Sequence, residues 1–324
     1  MISVIIPARN AAGTIGATMA SLVGDRARIL EILLIDDGSD DDTVSNAEQV
    51  AKHHALPLRA IRVQVASAGA ARNVGLAQAR GSHVFYLDAD DEVLPGALTL
   101  LYDALVTNPT AGLAIGPSIH RASRGDKLKV PGGYSDDRQE NARKYLANEL
   151  RSITIGSALV DAEATAGLRF PESIGLDEDT LYWAAVLTRV SVATIRAPVL
   201  HYNLDEARMV QRFVSNPRKV FLDIALELNR LAAFGIEKGT LQKRKAFIAL
   251  RIARQLIRRR RYREAAEILR VAQSFDAGLL PSLKPFQYRV RIWAGHSAQV
   301  LGYAKVSDRH EAAFRSSPDT DSER

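Results

Sequence analysis

The sequence contains no cysteine among its 324 residues. This absence excludes a disulfide framework, thiol catalysis and any thiolate-bound zinc or iron–sulfur site. The chain also lacks an apolar run of about 18 residues, the length that a helix needs to cross a bilayer. Its N-terminus has no basic segment followed by a cleavage site, so the sequence predicts no signal peptide. We therefore expect a cytoplasmic protein, either free or peripheral on the inner face of the membrane.

The composition that is present is typical of a globular protein, with 47% hydrophobic and 25% charged residues. The net charge of +6 is unevenly distributed along the chain. Residues 1–214 contain 21 Lys and Arg against 26 Asp and Glu, a net charge of −5, and residues 215–324 contain 22 against 11, a net charge of +11. An acidic front and a basic back predict two parts with different roles.

Short β-branched runs alternate with helical segments over the first hundred residues. The predicted strands are Ile2–Ile6 (ended by Pro7), Ile29–Ile35, Ala60–Val65 and Val84–Leu87. The predicted helices are Gly13–Leu22, Thr43–His54, Ala70–Ala79 and Ala97–Leu105. This alternation predicts a doubly wound α/β sheet, and ligands bind such sheets at the carboxyl ends of the strands.

The pattern changes twice after residue 110. The middle predicts two strands, one helix and a loop: Ile153–Val160, Val190–Ile195, Asp179–Thr188 and Arg124–Asp137. The back carries apolar residues at helical spacing over four segments: Val220–Phe234, Leu241–Ile257, Arg263–Gln273 and Phe286–Val300. The polar end, Phe314–Arg324, predicts a disordered tail.

Asp88-Ala89-Asp90 directly follows the fourth predicted strand. Two carboxylates at this spacing can hold Mg²⁺ or Mn²⁺ against a diphosphate, because both ions prefer oxygen ligands. The spacing alone is common, since Asp-x-Asp occurs four times in the chain, at 40–42, 88–90, 177–179 and 319–321. Each occurrence also fits a solvated acidic turn, and only the position after an apolar strand sets 88–90 apart.

Three further segments carry polar groups with two interpretations each. Asp36-Asp37 can accept hydrogen bonds from a nucleotide, or the segment can cap the next helix. Gly69 allows close backbone approach near a helix start, and Arg72 offers a fork for a phosphate, but the stretch also fits an Ala-rich helix packed on the sheet. Glu178-Asp179 fits either a helix cap or a general base.

Taken in order, these motifs resemble the family 2 glycosyltransferases over about residues 1–205. The segments that carry the resemblance are Ile5–Asn10, Leu34–Ser39, Gly69–Gly75, Tyr86–Asp91 and Glu178-Asp179. The resemblance implies a GT-A-type α/β fold, with a mixed central sheet flanked by helices and a helical C-terminal region. It assigns about 1–110 to a donor-binding half and 111–214 to an acceptor half, followed by the basic, mostly helical part at 215–324.

The resemblance also implies roles for the matching residues. It places ten at the donor: Pro7, Ala8, Arg9, Asn10, Asp36, Asp37, Gly69, Arg72, Asp88 and Ala89. One member of the acidic pair would hydrogen-bond the nucleotide base, and Arg72 would lie close to the diphosphate and the base. Asp90, together with Asp88, would bind Mn²⁺ or Mg²⁺. Asp179 would be the catalytic base, with Glu178 beside it.

The implied activity is an inverting, metal-dependent transfer of a sugar from a nucleotide-diphosphate donor, with a UDP-sugar favoured. The implied acceptor is a saccharide or a lipid-linked hydroxyl, in surface polysaccharide or glycoconjugate synthesis. Processive members carry Gln-x-x-Arg-Trp, whereas Gln211-Arg212-Phe213 has the wrong spacing and no tryptophan, which predicts a non-processive enzyme. We interpret His201 as a strand-end histidine rather than a metal ligand, and we expect the loop Asn203–Phe213 to order on donor binding.

Other functions compete with this interpretation. A nucleotidyltransferase is disfavoured because Gly13–Gly16 lacks a lysine, and a non-catalytic nucleotide-sugar-binding module is disfavoured by the complete set of acidic residues. The run Arg258–Arg261 fits a solvated helix end or docking on an anionic membrane. Nucleic acid is disfavoured as its partner, because the chain shows no recognisable module and no interleaved aromatics.

Overall fold

The structure, a computed structural model, describes residues 1–121, 125–151, 153–203 and 215–275. The chain forms two compact units, Met1–Leu204 and Asp205–Arg324. The boundary predicted at residue 214 falls next to residues outside the described ranges, and it stays a prediction, as does the division of the first unit at 110.

The described strands, in chain order, are β1 (Ile2–Ala8), β2 (Ile29–Asp37), β3 (Leu58–Val63), β4 (His83–Tyr86), β5 (Glu92–Val93), β6 (Ala111–Ile115), β7 (Ser118–Arg121), β8 (Lys127–Lys129), β9 (Ala158–Asp161), β10 (Ser191–Thr194) and β11 (Leu200–Asn203). The described α-helices of the first unit are α1 (Ile15–Ser21), α2 (Thr43–His54), α3 (Ala68–Gln78), α4 (Ala97–Thr107), α5 (Arg138–Leu146) and α6 (Glu178–Arg189).

Within the described residues, seven strands form the main sheet in the order β10-β6-β9-β4-β1-β2-β3. β9 runs antiparallel to both of its neighbours, β4 and β6, and the other pairs are parallel. The sheet is therefore mixed, as predicted. A second sheet, β5-β11-β7-β8, was not predicted from the sequence, because its strands are only two to four residues long.

The core explains why β1 and β2 are apolar without alternation. Both strands are central in the sheet and are buried along nearly their whole length, as expected of parallel strands covered on both faces. Helix α3 packs closely on them at Gly75, where an added Cβ would lie 2.4 Å from Cγ2 of Ile5. This glycine of the motif is thus required by helix–sheet packing.

Pro7 does not end the first strand, contrary to the prediction. β1 continues to Ala8, and Pro7 is in register with Ile35 of β2. The amide of Leu87 donates to the carbonyl of Ile5. The backbone N–H and C=O groups of the odd-numbered residues of β1 therefore point toward β4. Pairing with β4 ends at Ile5, and the missing N–H of Pro7 therefore interrupts no ladder hydrogen bond.

Other boundaries differ by a few residues. The predicted helix Gly13–Leu22 is shorter, Ile15–Ser21, and a 3₁₀ segment Val23–Arg28 follows it. The strand predicted at Ile153–Val160 is Ala158–Asp161, because residues before it form a turn. The predicted loop Arg124–Asp137 contains the short strand β8.

The second unit is helical where it is described. Its α-helices are α7 (Pro217–Arg230), α8 (Lys238–Arg258) and α9 (Tyr262–Phe275). Helix α8 buries an apolar stripe that includes Ile248, Ile252 and Leu256, so the predicted helical character is confirmed there. The helix predicted at Phe286–Val300 and the tail lie outside the described residues. No helix within the described ranges is long and apolar enough to span a membrane.

Candidate active site

The carboxyl ends of β1 and β2 meet at one edge of the sheet, and hydrogen bonds join the loops that follow them. The amide of Asn10 donates to Oγ of Ser39 at 3.0 Å, and the amide of Asp40 donates to Oδ1 of Asn10 at 3.0 Å. Asn10 adopts a left-handed conformation with φ of 51°. Of the predicted nucleotide-lining residues here, Ala8 is buried, Pro7 is half-buried, and Arg9 and Asn10 are exposed.

The two carboxylates at the end of β2 are placed differently. Asp36 is fully buried, and its oxygens accept from the Ser39 amide at 3.0 Å and from Nε of Arg62 at 2.8 Å. Burial raises the pKa of Asp36, but the hydrogen bonds from Ser39 and Arg62 outweigh it and the net pKa is lowered. Both oxygens of Asp36 are therefore engaged within the protein.

Asp37 keeps one oxygen available. Its Oδ1 accepts from the amides of Val65 and Ala66 at 2.6 and 3.0 Å, while no hydrogen bond to Oδ2 occurs among the described residues. Since both oxygens of Asp36 accept hydrogen bonds from the protein, Asp37 is the better placed of the two to accept a hydrogen bond from a ligand.

Two separate elements fix the Asp88–Asp90 turn through its backbone. The carbonyl of Ala89 accepts from the hydroxyls of Thr14 and Thr18 at 2.8 and 3.0 Å, which ties the turn to α1. Asn203, at the end of β11, donates through Nδ2 to the carbonyl of Asp90. The turn is therefore held before any ligand arrives.

Asp91 links the same turn to β11. Its Oδ1 accepts from the amide of Asn203 at 2.8 Å, and its buried Oδ2 has no hydrogen-bond partner in the part of the chain that the structure describes. Burial, then Asp88, Asp90 and Glu92, raise the pKa of Asp91 to about 9, although the Asn203 amide lowers it. The carboxylates of Asp88 and Asp90 thus lie close enough to Asp91 to make its ionisation less favourable.

Arg72 joins the turn to the first residues of α6. Its NH2 donates to Oδ1 of Asp88 at 2.7 Å, and its NH1 donates to Oε1 of Glu178 at 3.1 Å. The residue is only 3% exposed. Burial lowers the pKa of Arg72, but the carboxylates of Asp88 and Glu178 raise it by more than burial lowers it. The net pKa is raised, so the guanidinium stays charged.

Two other residues of the Gly69–Gly75 segment, which lies in α3, contact the chain that leads to α6. Nδ2 of Asn73 donates to the carbonyl of Phe170 and to Oε1 of Glu172, both at 2.9 Å. An added Cβ on Gly69 would lie 2.4 Å from the carbonyl oxygen of Pro171. The close backbone approach predicted for Gly69 therefore exists, but here it is made to Pro171, and its predicted contact with the donor stays a prediction.

The predicted base lies in the first turn of α6. Asp177 precedes the helix in a left-handed conformation, and Oδ1 of Asp179 accepts from the amide of Thr180 at 2.7 Å. Burial, then Glu178 and Asp177, raise the pKa of Asp179 to about 7, against lowering by Arg72 and the Thr180 amide. A carboxylate with that pKa is matched to proton transfer near neutral pH.

A buried aromatic layer lies beneath these charges. The hydroxyls of Tyr86 (β4) and Tyr182 (α6) are 3.0 Å apart. The ring of Phe170 stacks on Tyr182 with centroids 3.9 Å apart, and the guanidinium of Arg72 lies 5.2 Å from the Phe170 ring centre. The layer joins the strand before Asp88 to the helix that carries Asp179.

The second sheet contributes residues that the sequence analysis did not assign to the site. Burial raises the pKa of Tyr202, and four carboxylates add to the effect: Asp88, Asp91, Asp179 and Asp90. Tyr202 thus lies near both motifs, and its ring is 4.7 Å from that of His120. No spacing in the sequence relates Tyr202 or Asn203 to residue 90, because strand pairing alone brings them there. His201 lies within β11, and its buried Nδ1 has no hydrogen-bond partner within the described ranges.

The carboxylates fit a divalent cation only in part. Among the described residues, no three His, Asp or Glu side chains form a group that could hold a metal ion. Asp88 and Asp90 offer the oxygen ligands that Mg²⁺ and Mn²⁺ prefer, and the buried Oδ2 of the adjacent Asp91 has no hydrogen-bond partner among the described residues. The residues therefore fit a cation that completes its ligands with oxygens from a bound donor.

Comparison with known proteins agrees with the geometry. The sequence profile of the family described as "Glycosyl transferase family 2" matches residues 3–166. An uncharacterized glycosyltransferase of Escherichia coli strain K12, YibD, is 39% identical over 106 residues, which are 33% of this chain and 29% of that protein. The minor teichoic acid biosynthesis protein GgaA of Bacillus subtilis strain 168 is 26% identical over 200 residues, 58% of this chain and 44% of that protein. The chain thus spans less than half the length of these curated relatives.

A solved structure shares the fold. Residues 1–349 of S. aureus TarS, in complex with UDP-GlcNAc, align with a TM-score of 0.64 and 16% identity, covering 96% of this chain and 92% of that chain. At this identity the likeness concerns the fold alone. Together with the mixed sheet and the helical second unit, it confirms the predicted fold class.

Proposed function

The chain belongs to glycosyl transferase family 2, and on that premise we propose that it transfers one sugar from a nucleotide-diphosphate donor to an acceptor hydroxyl, with inversion at the anomeric carbon. The observation that carries the proposal is the meeting of Asp88 and Glu178 on the guanidinium of Arg72. These carboxylates belong to two motifs 90 residues apart in the chain, one suited to a diphosphate and the other to a base. A reaction in which an acceptor hydroxyl displaces a diphosphate from the anomeric carbon needs both kinds of group in one place.

Asp179 is the proposed general base. It would take the proton from the acceptor hydroxyl as that oxygen attacks the anomeric carbon opposite the departing diphosphate, which inverts the centre in one displacement. Its pKa of about 7 leaves a large fraction ionised at neutral pH while keeping it basic enough to accept a proton. Glu178 accepts from Arg72 and adds negative charge that raises this pKa.

The proposed donor site lies on the loops after β1, β2 and β4. Asp37, with its available Oδ2, would accept a hydrogen bond from the base, and Pro7–Asn10 would line the same end of the site. Asp88 and Asp90 would hold Mn²⁺ or Mg²⁺, whose chemistry there is to neutralise negative charge on the leaving diphosphate. Asp88 is 30% exposed in its side chain and can also contact the donor's ribose or sugar.

Two similarities guide the choice of substrates. The TarS structure was determined with UDP-GlcNAc, and GgaA is named for minor teichoic acid biosynthesis. We therefore propose a UDP-sugar as donor and a surface polysaccharide or glycoconjugate, free or lipid-linked, as acceptor. Non-processive transfer follows from the absence of Gln-x-x-Arg-Trp in the sequence.

The test is a donor screen with purified protein. UDP-sugars and other nucleotide sugars are incubated with Mn²⁺, with Mg²⁺ or with EDTA, and release of the nucleoside diphosphate is measured with and without saccharide acceptors. We expect acceptor-stimulated release that EDTA abolishes and Mn²⁺ restores. Proton NMR of the product reports the anomeric configuration. Binding without release would indicate the non-catalytic module, and release of pyrophosphate from a nucleoside triphosphate and a sugar phosphate would indicate a nucleotidyltransferase.

The basic second unit is proposed to dock on an anionic membrane surface, where a lipid-linked acceptor would lie. Residues 215–275 contain 15 Lys and Arg against five Asp and Glu. Arg258, Arg259 and Arg260 are all exposed at the end of α8, where cations also interact favourably with the helix dipole. Co-sedimentation with phosphatidylglycerol vesicles should occur at low salt and weaken as salt rises. Absence of binding to these vesicles at low salt would overturn the proposed membrane docking. We also propose a cytoplasmic location for the protein.

A further inference from the structure

Arg72 uses both of its terminal nitrogens inside the protein. NH2 and NH1 each donate to a different carboxylate, Asp88 and Glu178, and the side chain is 4% exposed. The guanidinium carbon lies over the ring of Phe170, 5.2 Å from the ring centre. If Arg72 swung toward a donor phosphate, it would leave two carboxylates without their cation. These contacts give Arg72 a role within the protein, and its predicted place close to the diphosphate stays a prediction.

We propose that Arg72 is a positioning residue that fixes the donor-side carboxylate Asp88 and the base-bearing end of α6 in one geometry through its two-pronged guanidinium. This inference rests on the proposed function, because it assigns the two ends of the bridge to donor and base. The fork is needed because it presents two separate N–H groups in a rigid plane, and a lysine ammonium is a compact point charge on a flexible stem.

The sequence neighbours of Arg72 serve the same purpose. On one face of α3, Gly69 approaches the Pro171 carbonyl, and Asn73 binds the backbone of Phe170. Positions 69, 72 and 73 are three and four residues apart, the spacing that places side chains on one face of a helix. We call these three residues the α3 bracket. It holds the segment 170–178, at the end of which the base-bearing turn begins.

Arg72 also sets the charge that Asp179 experiences. The groups that act on Asp179 are Glu178 and Asp177 from its own turn, Arg72 from α3 and Tyr202 from β11. Arg72 is the only cation among these four. Its removal therefore takes away the cationic contribution that lowers the pKa of Asp179, and the pKa should rise further above about 7.

The test compares Arg72→Gln and Arg72→Lys with the wild type. Arg72→Gln should move the acid limb of the pH profile of kcat/KM upward by about one unit. It should lower the rate at pH 7 by about fivefold, since a pKa that rises from about 7 to about 8 reduces the ionised fraction of Asp179 at pH 7 from about a half to about a tenth. Arg72→Lys keeps the charge but loses the fork. Its acid limb should stay near that of the wild type, while kcat falls at every pH because Asp88 and Asp179 are no longer held together.

Arg80→Gln is the matched control. Arg80 also pairs with a buried carboxylate, Glu31, at 3.0 Å, but this pair lies near the N-terminal end of β1, where Glu31 binds Ser3. Arg80→Gln should lower thermal stability without moving the pH profile. If the two Gln variants shift the profile equally, or if Arg72→Gln shifts nothing, the proposed role of Arg72 is wrong.

A second measurement needs no donor and no turnover. Carbon-13 NMR of the side-chain carboxyl carbon of labelled aspartate follows the titration of Asp179 in the free protein. The Asp179 signal is assigned as the one that is missing in Asp179→Asn. Its midpoint should rise in Arg72→Gln and stay in place in Arg80→Gln, and an unchanged midpoint in Arg72→Gln overturns the inference. Should the glutamine variant fail to fold, Arg72→Lys carries the test through its loss of kcat at an unchanged acid limb. If the wild type transfers no sugar, the proposed function fails, while this titration still reports on Arg72.

Discussion

The side-chain amide of Asn73 holds the backbone of Phe170 by two hydrogen bonds, donating to its carbonyl and accepting from its amide, each at 2.9 Å. The residues are 97 positions apart, and they join α3 to the segment that precedes the predicted base. Both groups are buried. The pair therefore fixes the backbone from which α6 begins.

Asn73→Asp should release that backbone. The substitution is nearly isosteric, but it replaces the donor with an acceptor facing the Phe170 carbonyl and Glu172. Leaving a buried group unsatisfied costs about 1–3 kcal/mol, so the free energy of unfolding should fall by about that amount in urea titration, with a loss of kcat. Asn108→Asp, which removes an amide donor from an exposed helix end, is the control and should change stability by less than about 0.5 kcal/mol. Equal losses in both variants would contradict a special role for Asn73.

Asp179→Asn should abolish sugar transfer and leave donor binding nearly intact. A positioned base contributes about 10²–10⁴-fold to the rate, and the amide cannot accept the proton. Nucleoside diphosphate release and calorimetric donor binding measure the two effects separately. Asp177→Asn is the matched control, because asparagine tolerates the left-handed conformation of that position; it should keep activity within a few-fold. Full activity in Asp179→Asn would show that the base lies elsewhere.

The pH dependence should carry opposite signs for rate and for stability. The rate requires ionised Asp179, so kcat/KM should fall as the pH drops through about 7. The folded pKa of Asp179 is raised from 3.8 to about 7, so the folded protein binds this proton more tightly than the unfolded chain does. The stability contributed by this group is complete below about pH 3.8 and is lost as the pH rises through about 7. Urea titrations between about pH 3.8 and 7 measure the free energy of unfolding, which should fall less with rising pH in Asp179→Asn than in the wild type.

Asp37→Asn should weaken donor binding more than it weakens the fold. Its amide oxygen can still accept from Val65 and Ala66, but the group that replaces Oδ2 becomes a donor and can no longer accept from a base N–H. Loss of one such hydrogen bond costs about 1–2 kcal/mol, roughly tenfold in Kd for UDP by calorimetry. Asp36→Asn should show the reverse, a loss of stability with a smaller change in Kd. Equal effects of both on Kd would reject the assignment to Asp37.

Arg260→Gly should stabilise the second unit and weaken its binding to anionic vesicles. Arg260 follows the C-cap of α8 with φ of 60°. Its amide donates to the carbonyl of Ile257, and that of Arg261 donates to Leu256, the arrangement in which glycine is favoured. Glycine would relieve about 1 kcal/mol of strain while removing one charge. Thermal melting and co-sedimentation measure the two effects, and Arg26→Ala, an exposed charge in the first unit, should alter neither vesicle binding nor its salt dependence.

Local patterns predicted much of the first unit because short-range physics sets them. The helix Thr43–His54 was predicted with its observed bounds, and the strands at β1, β2 and β4 were found within a few residues. Apolar runs, helix caps and β-branched residues act within a few positions of the chain. The antiparallel placement of β9 and the second sheet depend on pairing between distant short strands, which no local pattern records.

The sequence by itself determined which chemical groups the protein has. The order of the acidic motifs, their position after apolar strands and the Gly-Ala-Ala-Arg-Asn segment are properties of the chain, and they indicated the family. Only the tertiary structure decided how these groups are used. Asp36 accepts a hydrogen bond from Arg62, whereas Asp37 has one oxygen available to a ligand. Arg72 forms ion pairs with two carboxylates instead of pointing into solvent. Side-chain chemistry is encoded residue by residue, whereas partners and burial arise only when segments far apart in the chain pack together.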